Sequence, residues 1–466
     1  MSPAAASSAG GLPHRLLAFY GDDFTGSSAV MEVMTFAGLP TVMFLAPPGA
    51  ERLAAFADYR GIGIASTARA QSPAWMDAHL PPTFSALASL GAPVNHYKIC
   101  STFDSSPAIG SIGRAIDTAL PVFGPRFVPL VTAAPQIGRY QAFGHLFARF
   151  GAAVHRLDRH PVMARHPSTP MGEADLARHL GEQTRLPVGL VDLAAIKAGN
   201  AEAALERAIG EGARIVSFDV VDEDSLAAVG AVLWREAQAH GLFAAGSQGV
   251  EYALIAHWRA AGLIGPAADA PPVAPVDRIV AVSGSVSPST AAQIAEAERG
   301  GFDILPLDVA AVVDEAAWQD ALDALTDRGR EVLSAGRSPL VVTARGPEDP
   351  AVARFNAALA LADLPRETAS QAIGAGLGEI VRRLLRESDT GRAVISGGDT
   401  SGHAMTALGV DAVSVAAPLA PGAPLCRVHS TDPALDGIEV ALKGGQMGEA
   451  DFFVQSLGAR AEVAAG

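Results

Sequence analysis

The chain has 466 residues, 49% of them hydrophobic and 18% charged, with a formal net charge of −15. That length exceeds what one hydrophobic core usually holds, so two domains are expected, and the acidic balance excludes the clustered basic footprint of a nucleic-acid binder. No apolar run approaches the ~18 residues of a membrane span, and the two cysteines, Cys100 and Cys426, stand in no zinc-like spacing.

The opening MSPAAASSAGG has neither the basic start nor the apolar centre of a signal peptide, so residues 1–12 read as a disordered tail. With so few cysteines, a cytoplasmic setting is expected. Leu16 to Tyr20 is a short apolar run read as a central strand, and after it Ala29, Val30, Val33 and Met34 share one helical face. Asp22 and Asp23 therefore fall at a strand's carboxyl end, the edge where ligands bind in open α/β sheets. One acid there would cap the helix. Two of them, followed by Thr25, Gly26 and Ser27, point to a site for a hydroxyl, a metal or both.

Further strand-like runs follow at Thr41 to Leu45, Ile62 to Ala65, Phe127 to Thr132, Pro187 to Val191 and Ile215 to Val220. Amphipathic segments such as Ser111 to Ala119 and Ala174 to Gln183 lie between them. This alternation predicts an α/β domain over 13–264, a mostly parallel sheet flanked by helices. GPAADAPPVAPVD, residues 265–277, is rich in Pro and Ala and reads as a linker. The alternation restarts after it, with strands at Arg278 onward, at Pro339 to Thr343 and before SGGDTSG, and a helix over Ile373 to Leu385. A second α/β domain is expected over 278–466, with the active site in the cleft between the two.

Three Gly/Ser turns mark that second half: SGSVSPST at Ser283 to Thr290, SGGDTSG at Ser396 to Gly402 and KGGQMGE at Lys443 to Glu449. Backbone N–H groups in such turns at helix starts cradle anions, so three together point to a phosphate-bearing ligand. Neither the P-loop pattern nor the dinucleotide G-x-G-x-x-G fingerprint is present. In the first half, HYKICSTFDSS, APQIGRY and MARHPSTPM set basic and hydroxyl residues beside apolar runs. Lys98, Arg139 and His166 are candidates to hold a carboxylate, with Ser101, Thr102, Ser168 and Thr169 to read hydroxyls. An acid pair and a basic set in one domain, with phosphate turns in the other, describe a phosphoryl-transfer site.

In order and spacing, GDDFTGS, KICSTFDSS, PQIGRY, HPSTPM, SGSVSPST, SGGDTSGHAMTALG and LKGGQMGEADFF resemble the four-carbon acid sugar kinase family over nearly the whole chain. The resemblance implies an ATP-dependent kinase, using Mg²⁺, whose N-terminal domain binds a small sugar acid and whose C-terminal domain binds ATP. Asp22 and Asp23 would be catalytic, with Lys98 and Arg139 facing the acid. Ser285, Gly397, Gly398, Asp399, Thr400, Gly444 and Gly445 would hold the nucleotide. The chain departs from the family's K-I-D-S-T-L-R-G-N pattern, with Cys100 in place of an acid and Asp104 in place of a basic residue. That points away from threonate or erythronate and toward a different acid, such as the branched 3-oxo-isoapionate. A hydrolase or lyase acting on a phosphorylated sugar acid, and a non-catalytic sugar-acid sensor, are the alternatives. No nucleic-acid or membrane partner is expected, and a homo-oligomer is left open.

Overall fold

Leu17–Gly21 carries no charge and all five residues are buried, as suits a strand covered on both faces. In the computed structural model, which describes residues 12–166, 168–267, 270–445 and 447–458, this strand lies near the middle of the N-terminal half. Residues 1–11 of the expected tail lie outside the described residues. Gly61–Ala65 runs parallel to it on one side and Val94–Lys98 on the other. Beyond Val94–Lys98 come Leu242–Gly246, Val128–Val131, Ile215–Phe218 and Val188–Val191 in turn, and Thr41–Phe44 lies beyond Gly61–Ala65.

In the C-terminal half Val280–Ser283 lies between Pro339–Val342 and Arg392–Ser396, with Asp303–Pro306 at the outer edge and Glu439–Lys443 beside Arg392–Ser396. All five strands are parallel. An antiparallel hairpin, Ala412–Ala420 and Ala423–His429, then extends this sheet: its second strand pairs with Glu439–Lys443 and its first with Thr41–Phe44. The two mostly parallel sheets expected from the sequence are thereby fused into one, of 15 strands among the described residues. One apolar cluster follows the fusion, running from Phe19 and Met31 to Val282 and Leu442.

The expected strands are found within a residue or two of their predicted ends, but two further strands of the N-terminal half, Val94–Lys98 and the wholly apolar Leu242–Gly246, were not anticipated. His96 and Lys98 interrupt the first, although all five of its residues are buried. His96 is tolerated because Glu251 lies 2.6 Å from its Nδ1 and the Gly246 carbonyl 3.0 Å from its Nε2. The helix expected from Ser111 runs over Ile112–Phe123, with the Ser111 hydroxyl capping Arg114 N–H and Gly124 ending it at φ 54°. The segment expected to be helical over Ala174 to Gln183 is shorter, Leu176–Gly181, starting at the cap Asp175. Ile373 to Leu385 lies within a longer helix, Arg366–Arg386. A separate antiparallel sheet of Arg139–Ala142, His145–Phe150 and Ala153–Arg156 was not anticipated. Among the described residues no helix is long and apolar enough to cross a membrane.

Candidate active site

Asp22 and Asp23 follow the strand Leu17–Gly21 and precede the helix Phe24–Phe36. Asp23 is that helix's N-cap, its carboxylate accepting from Gly26 N–H at 2.7 Å. Asp22 does no capping. Its backbone is tied instead to both neighbouring strand ends: its N–H donates to the Lys98 carbonyl and its carbonyl accepts from Arg69 N–H, each at 2.9 Å. The Arg69 guanidinium then bridges the pair, with Nη2 and Nε on Asp22 at 2.6 and 3.2 Å and Nη1 and Nη2 on Asp23 at 2.6 and 2.9 Å.

Burial sets the electrostatics. Asp22 is 2% exposed and its carboxyl is pushed up by burial, against the pull of Arg69. Burial would lower Arg69, but the Asp22 and Asp23 carboxylates outweigh it and hold the guanidinium firmly charged. Lys98 is buried at the end of Val94–Lys98, donating to the Ile99 carbonyl at 2.7 Å. Burial lowers its pKa, opposed by Asp23 and then Asp22. Lys98 also stands 3.0 Å from where a Cβ on Gly26 would sit, so it borders the start of the helix.

The turn after Lys98 is tight. Phe103 adopts a left-handed φ of 59° while fully buried, an uncommon state for an aromatic residue. Within it Cys100 Sγ lies 3.0 Å from the Thr102 hydroxyl, which donates to Asp104 at 2.7 Å. Ser101 is half-buried beside them. Arg139 opens the small antiparallel sheet, with Nη1 on the carbonyls of Ile137 and Gly138 at 3.2 and 3.3 Å. Its Nε is buried without a partner among the described residues. Burial lowers Arg139, opposed by Cys100 and Asp104, so the guanidinium lies within electrostatic reach of that turn.

His166, Ser168 and Thr169 form a turn of their own. His166 Nδ1 accepts from Thr169 N–H at 3.2 Å and meets its hydroxyl at 3.0 Å, while Ser168 is exposed. Among the described residues no hydrogen bond joins this turn to Asp22, Asp23, Lys98 or Arg139. Pro167, within the same motif, lies outside the described residues.

In the other half Gly397, at φ 131°, breaks the chain between the strand Arg392–Ser396 and the helix Gly398–Leu408. Any side chain would be strained there. Ser285, Gly397, Gly398 and Thr400 border one cavity of about 270 Å³, whose other walls include Val309, Phe355 and Ile373. The backbone of Asp399 lies in the helix's first turn, and its side chain is outside the described residues. Gly445 adjoins this group: a Cβ on it would come 2.7 Å from Ser285 Oγ, and its carbonyl accepts from the hydroxyls of Ser287 and of Thr290, the latter at 3.0 Å. Gln446 lies outside the described residues.

The two halves meet at these turns. A Cβ on Gly402 would enter the ring of Phe24 at 2.6 Å, and one on Gly444 would touch Thr25 at 3.4 Å. The first residues of the acid-bearing helix are thus packed against the helix and the turn that follow the phosphate-type glycines. Lower on the same helix, Glu32 accepts from Gly422 N–H at 2.8 Å, at the tip of the joining hairpin.

One mostly parallel sheet thus carries paired carboxylates at a strand end in one half and a glycine-lined cavity in the other. Residues 17–254 match the family of sugar-binding N-terminal domains and residues 280–453 that of nucleotide-binding C-terminal domains. The chain is 46% identical over 438 residues to a 3-oxo-isoapionate kinase of Paraburkholderia graminis, covering 94% of this chain and 93% of the relative. It is 33% identical to a 3-oxo-tetronate kinase of Pseudomonas fluorescens, covering 96% and 97%. Crystal structures of proteins from Salmonella typhimurium and Haemophilus influenzae share the fold at TM-scores of 0.75 and 0.68, each with 24% identity over 94% of this chain and 98% of theirs. The chain belongs to the four-carbon acid sugar kinase family and is an ATP-dependent enzyme of that kind.

Arg69 is the site residue that sequence reading missed. It stands four residues past the strand Gly61–Ala65, in ARAQ, with no motif around it. The available signal was positional: the neighbouring parallel strand ends beside the acids, so the first basic residue of its exit loop is the natural counter-charge.

Proposed function

We propose that the chain transfers the γ-phosphoryl group of ATP to a hydroxyl of a small branched or oxo-substituted sugar acid of the 3-oxo-isoapionate type. The observation that carries this reading is the close packing of Phe24 and Thr25, directly after the acid pair, on Gly402 and Gly444 of the nucleotide half. This packing supports the reading because it sets the start of the acid-bearing helix against the glycine turns that would hold the phosphates. The donor set suits that ligand: a Cβ on Gly398 would meet open space, so the helix start is bare backbone facing the cavity.

Phosphoryl transfer asks a protein mainly for positioning and charge neutralisation. ATP, held on the glycine turns, would supply the phosphoryl group and Mg²⁺ would supply neutralisation of developing charge; no cluster of three or more metal-ligating side chains is found for it among the described residues. Asp23 is the better base, because its side chain is 24% exposed whereas that of Asp22 is 2% exposed, Arg69 holding both oxygens of each. Asp23 takes the proton as the substrate oxygen bonds to phosphorus and the bond to ADP breaks. Asp22 fixes Arg69, and Arg69 in turn aims Asp23. Lys98 and Arg139 hold the acid's carboxylate, with Thr102 and Asp104 reading its hydroxyls.

Asp104 supports the choice of substrate class. Its carboxylate repels a carboxylate brought close to it and accepts bonds from hydroxyls, which disfavours a simple linear acid seated there. The 46% identity to a 3-oxo-isoapionate kinase adds weight in the same direction. The test is coupled ADP release against a panel of three- to six-carbon sugar acids. Turnover confined to the branched or oxo acids is expected, and ATP binding with no turnover of any acid would contradict the reading.

A further inference from the structure

Lys443 ends its strand in register with Ser396, which is itself in register with Ser283. Side chains paired in register across parallel strands point to one face. An ammonium and two hydroxyls therefore line the same face at the sheet's carboxyl edge. All three residues are fully buried, and the hydroxyls of Ser283 and Ser396 have no hydrogen-bond partner among the described residues.

Among the described residues the surroundings of the ammonium are neutral. It donates to the Gly444 carbonyl at 3.0 Å and weakly to the Thr290 hydroxyl at 3.4 Å, and the ring of Phe452 is centred 5.9 Å away. Of the acids in the segment that follows, Asp451 takes a bond from Gln455 at 2.8 Å, and neither it nor Glu449 offsets the burial of the lysine. Burial alone pushes the ammonium down to about 8. A buried cation without a counter-anion is costly, and a carbonyl, a hydroxyl and a ring offset that only in part.

The turn above the lysine indicates where the missing anion comes from. A Cβ on Gly444 would lie 3.4 Å from Thr25, whose hydroxyl is also buried without a partner among the described residues, and one on Gly445 would lie 2.7 Å from Ser285 on the cavity wall. The turn therefore spans from the nucleotide cavity to the acid-bearing helix, the path that the terminal phosphates must follow.

We propose that Lys443 is the counter-charge of the nucleotide's terminal phosphates and that ATP binding draws a proton onto it. This rests on the assignment of ATP to the second half made above. In the free enzyme the lysine is half deprotonated near pH 8, and a phosphate beside it favours the charged form. Above that pH the complex binds one more proton than its separate parts, so affinity falls about tenfold per pH unit. ATP's own last phosphate proton is lost below this range.

The test is isothermal titration of the full chain with ATP at pH 7 and pH 9, each in two buffers of different ionisation enthalpy. Proton uptake should be small at pH 7 and approach one at pH 9. Lys443→Met should abolish the uptake and weaken ATP and ADP by about 10- to 100-fold at pH 7 while leaving adenosine unchanged. Heats at pH 9 that do not depend on buffer would overturn the proposal, as would a folded Lys443→Met that binds ATP normally. The wild-type calorimetry decides by itself if the variant folds poorly. Loss of all ATP binding by the unmodified chain would overturn the nucleotide assignment as well, so the two failures are distinguishable.

Discussion

Arg69 grips Asp22 through both carboxylate oxygens, at 2.6 and 3.2 Å, and reaches across to Asp23 at 2.6 Å. The acids therefore act as one unit with a shared cation. Removing that cation strands a buried carboxylate, so Arg69→Gln should destabilise the fold by about 3 kcal/mol. Asp22→Asn combined with it should recover part of the loss, because no buried charge is then left unpaired at Asp22. Urea unfolding of the two single variants and the double variant gives the coupling.

Asp22 and Asp23 should respond differently to the same change. Asparagine caps a helix as well as aspartate does, so Asp23→Asn should fold normally and lose about 100-fold or more in kcat, with KM little altered. Asp22→Asn should lower kcat by less than Asp23→Asn does, since it loosens Arg69, which aims the base, without removing the base. Steady-state kinetics with saturating ATP separates the two, and near-normal kcat in both variants would reduce the acids to structure.

Much of this site was legible in the sequence for physical reasons. A five-residue apolar run followed by charges announces a buried strand and its exit, so Leu17–Gly21 and the acids after it were readable. Glycine turns after apolar runs announced the nucleotide half in the same way. His96 and Lys98 hid their strand, because polar partners that the apolar pattern does not show, Glu251 for His96 and the Ile99 carbonyl for Lys98, make burial of those side chains tolerable. Arg69 was hidden by a non-local relation of the kind that joins His96 to Glu251. The hairpin Ala412–Ala420 and Ala423–His429 has no periodicity that reveals its pairing with Thr41–Phe44, since register across 370 or so positions belongs to the tertiary fold.

Two glycines of the SGGDTSG turn should behave in opposite ways. Gly398 is exposed, and a Cβ there meets no protein atom within 4 Å, so Gly398→Val should keep stability and weaken ATP binding. Gly402→Val should instead lower stability, because its Cβ falls 2.6 Å from the Phe24 ring. Thermal unfolding beside nucleotide titration distinguishes the two effects, and unchanged ATP affinity in folded Gly398→Val would remove that turn from the site.

Glu32 should make the joining hairpin sensitive to pH. Burial raises its carboxyl from 4.5 to about 7, with the Gly422 N–H opposing, and Tyr252 and Cys426 are the titratable groups that feel its charge. Because the folded pKa is the raised one, its contribution is fully present below pH 4.5 and is lost as pH rises through 7. Glu32→Gln keeps an acceptor for Gly422 and cannot ionise. It should exceed the parent in stability at pH 8 by about 3 kcal/mol, with the difference closing below pH 5. Parallel denaturant curves at both pH values would detect this.

The choice of acid is the claim on which the account turns, and Asp104 is the residue that tests it. The measurement is kcat/KM of the unmodified chain and of Asp104→Arg on 3-oxo-isoapionate, threonate and erythronate, read by ADP release. The unmodified chain should favour the branched oxo acid by at least about tenfold, and Asp104→Arg should move preference toward the linear acids, a shift of the size that one charge contact allows. Efficient phosphorylation of threonate or erythronate by the unmodified chain, with no response to Asp104→Arg, would contradict it.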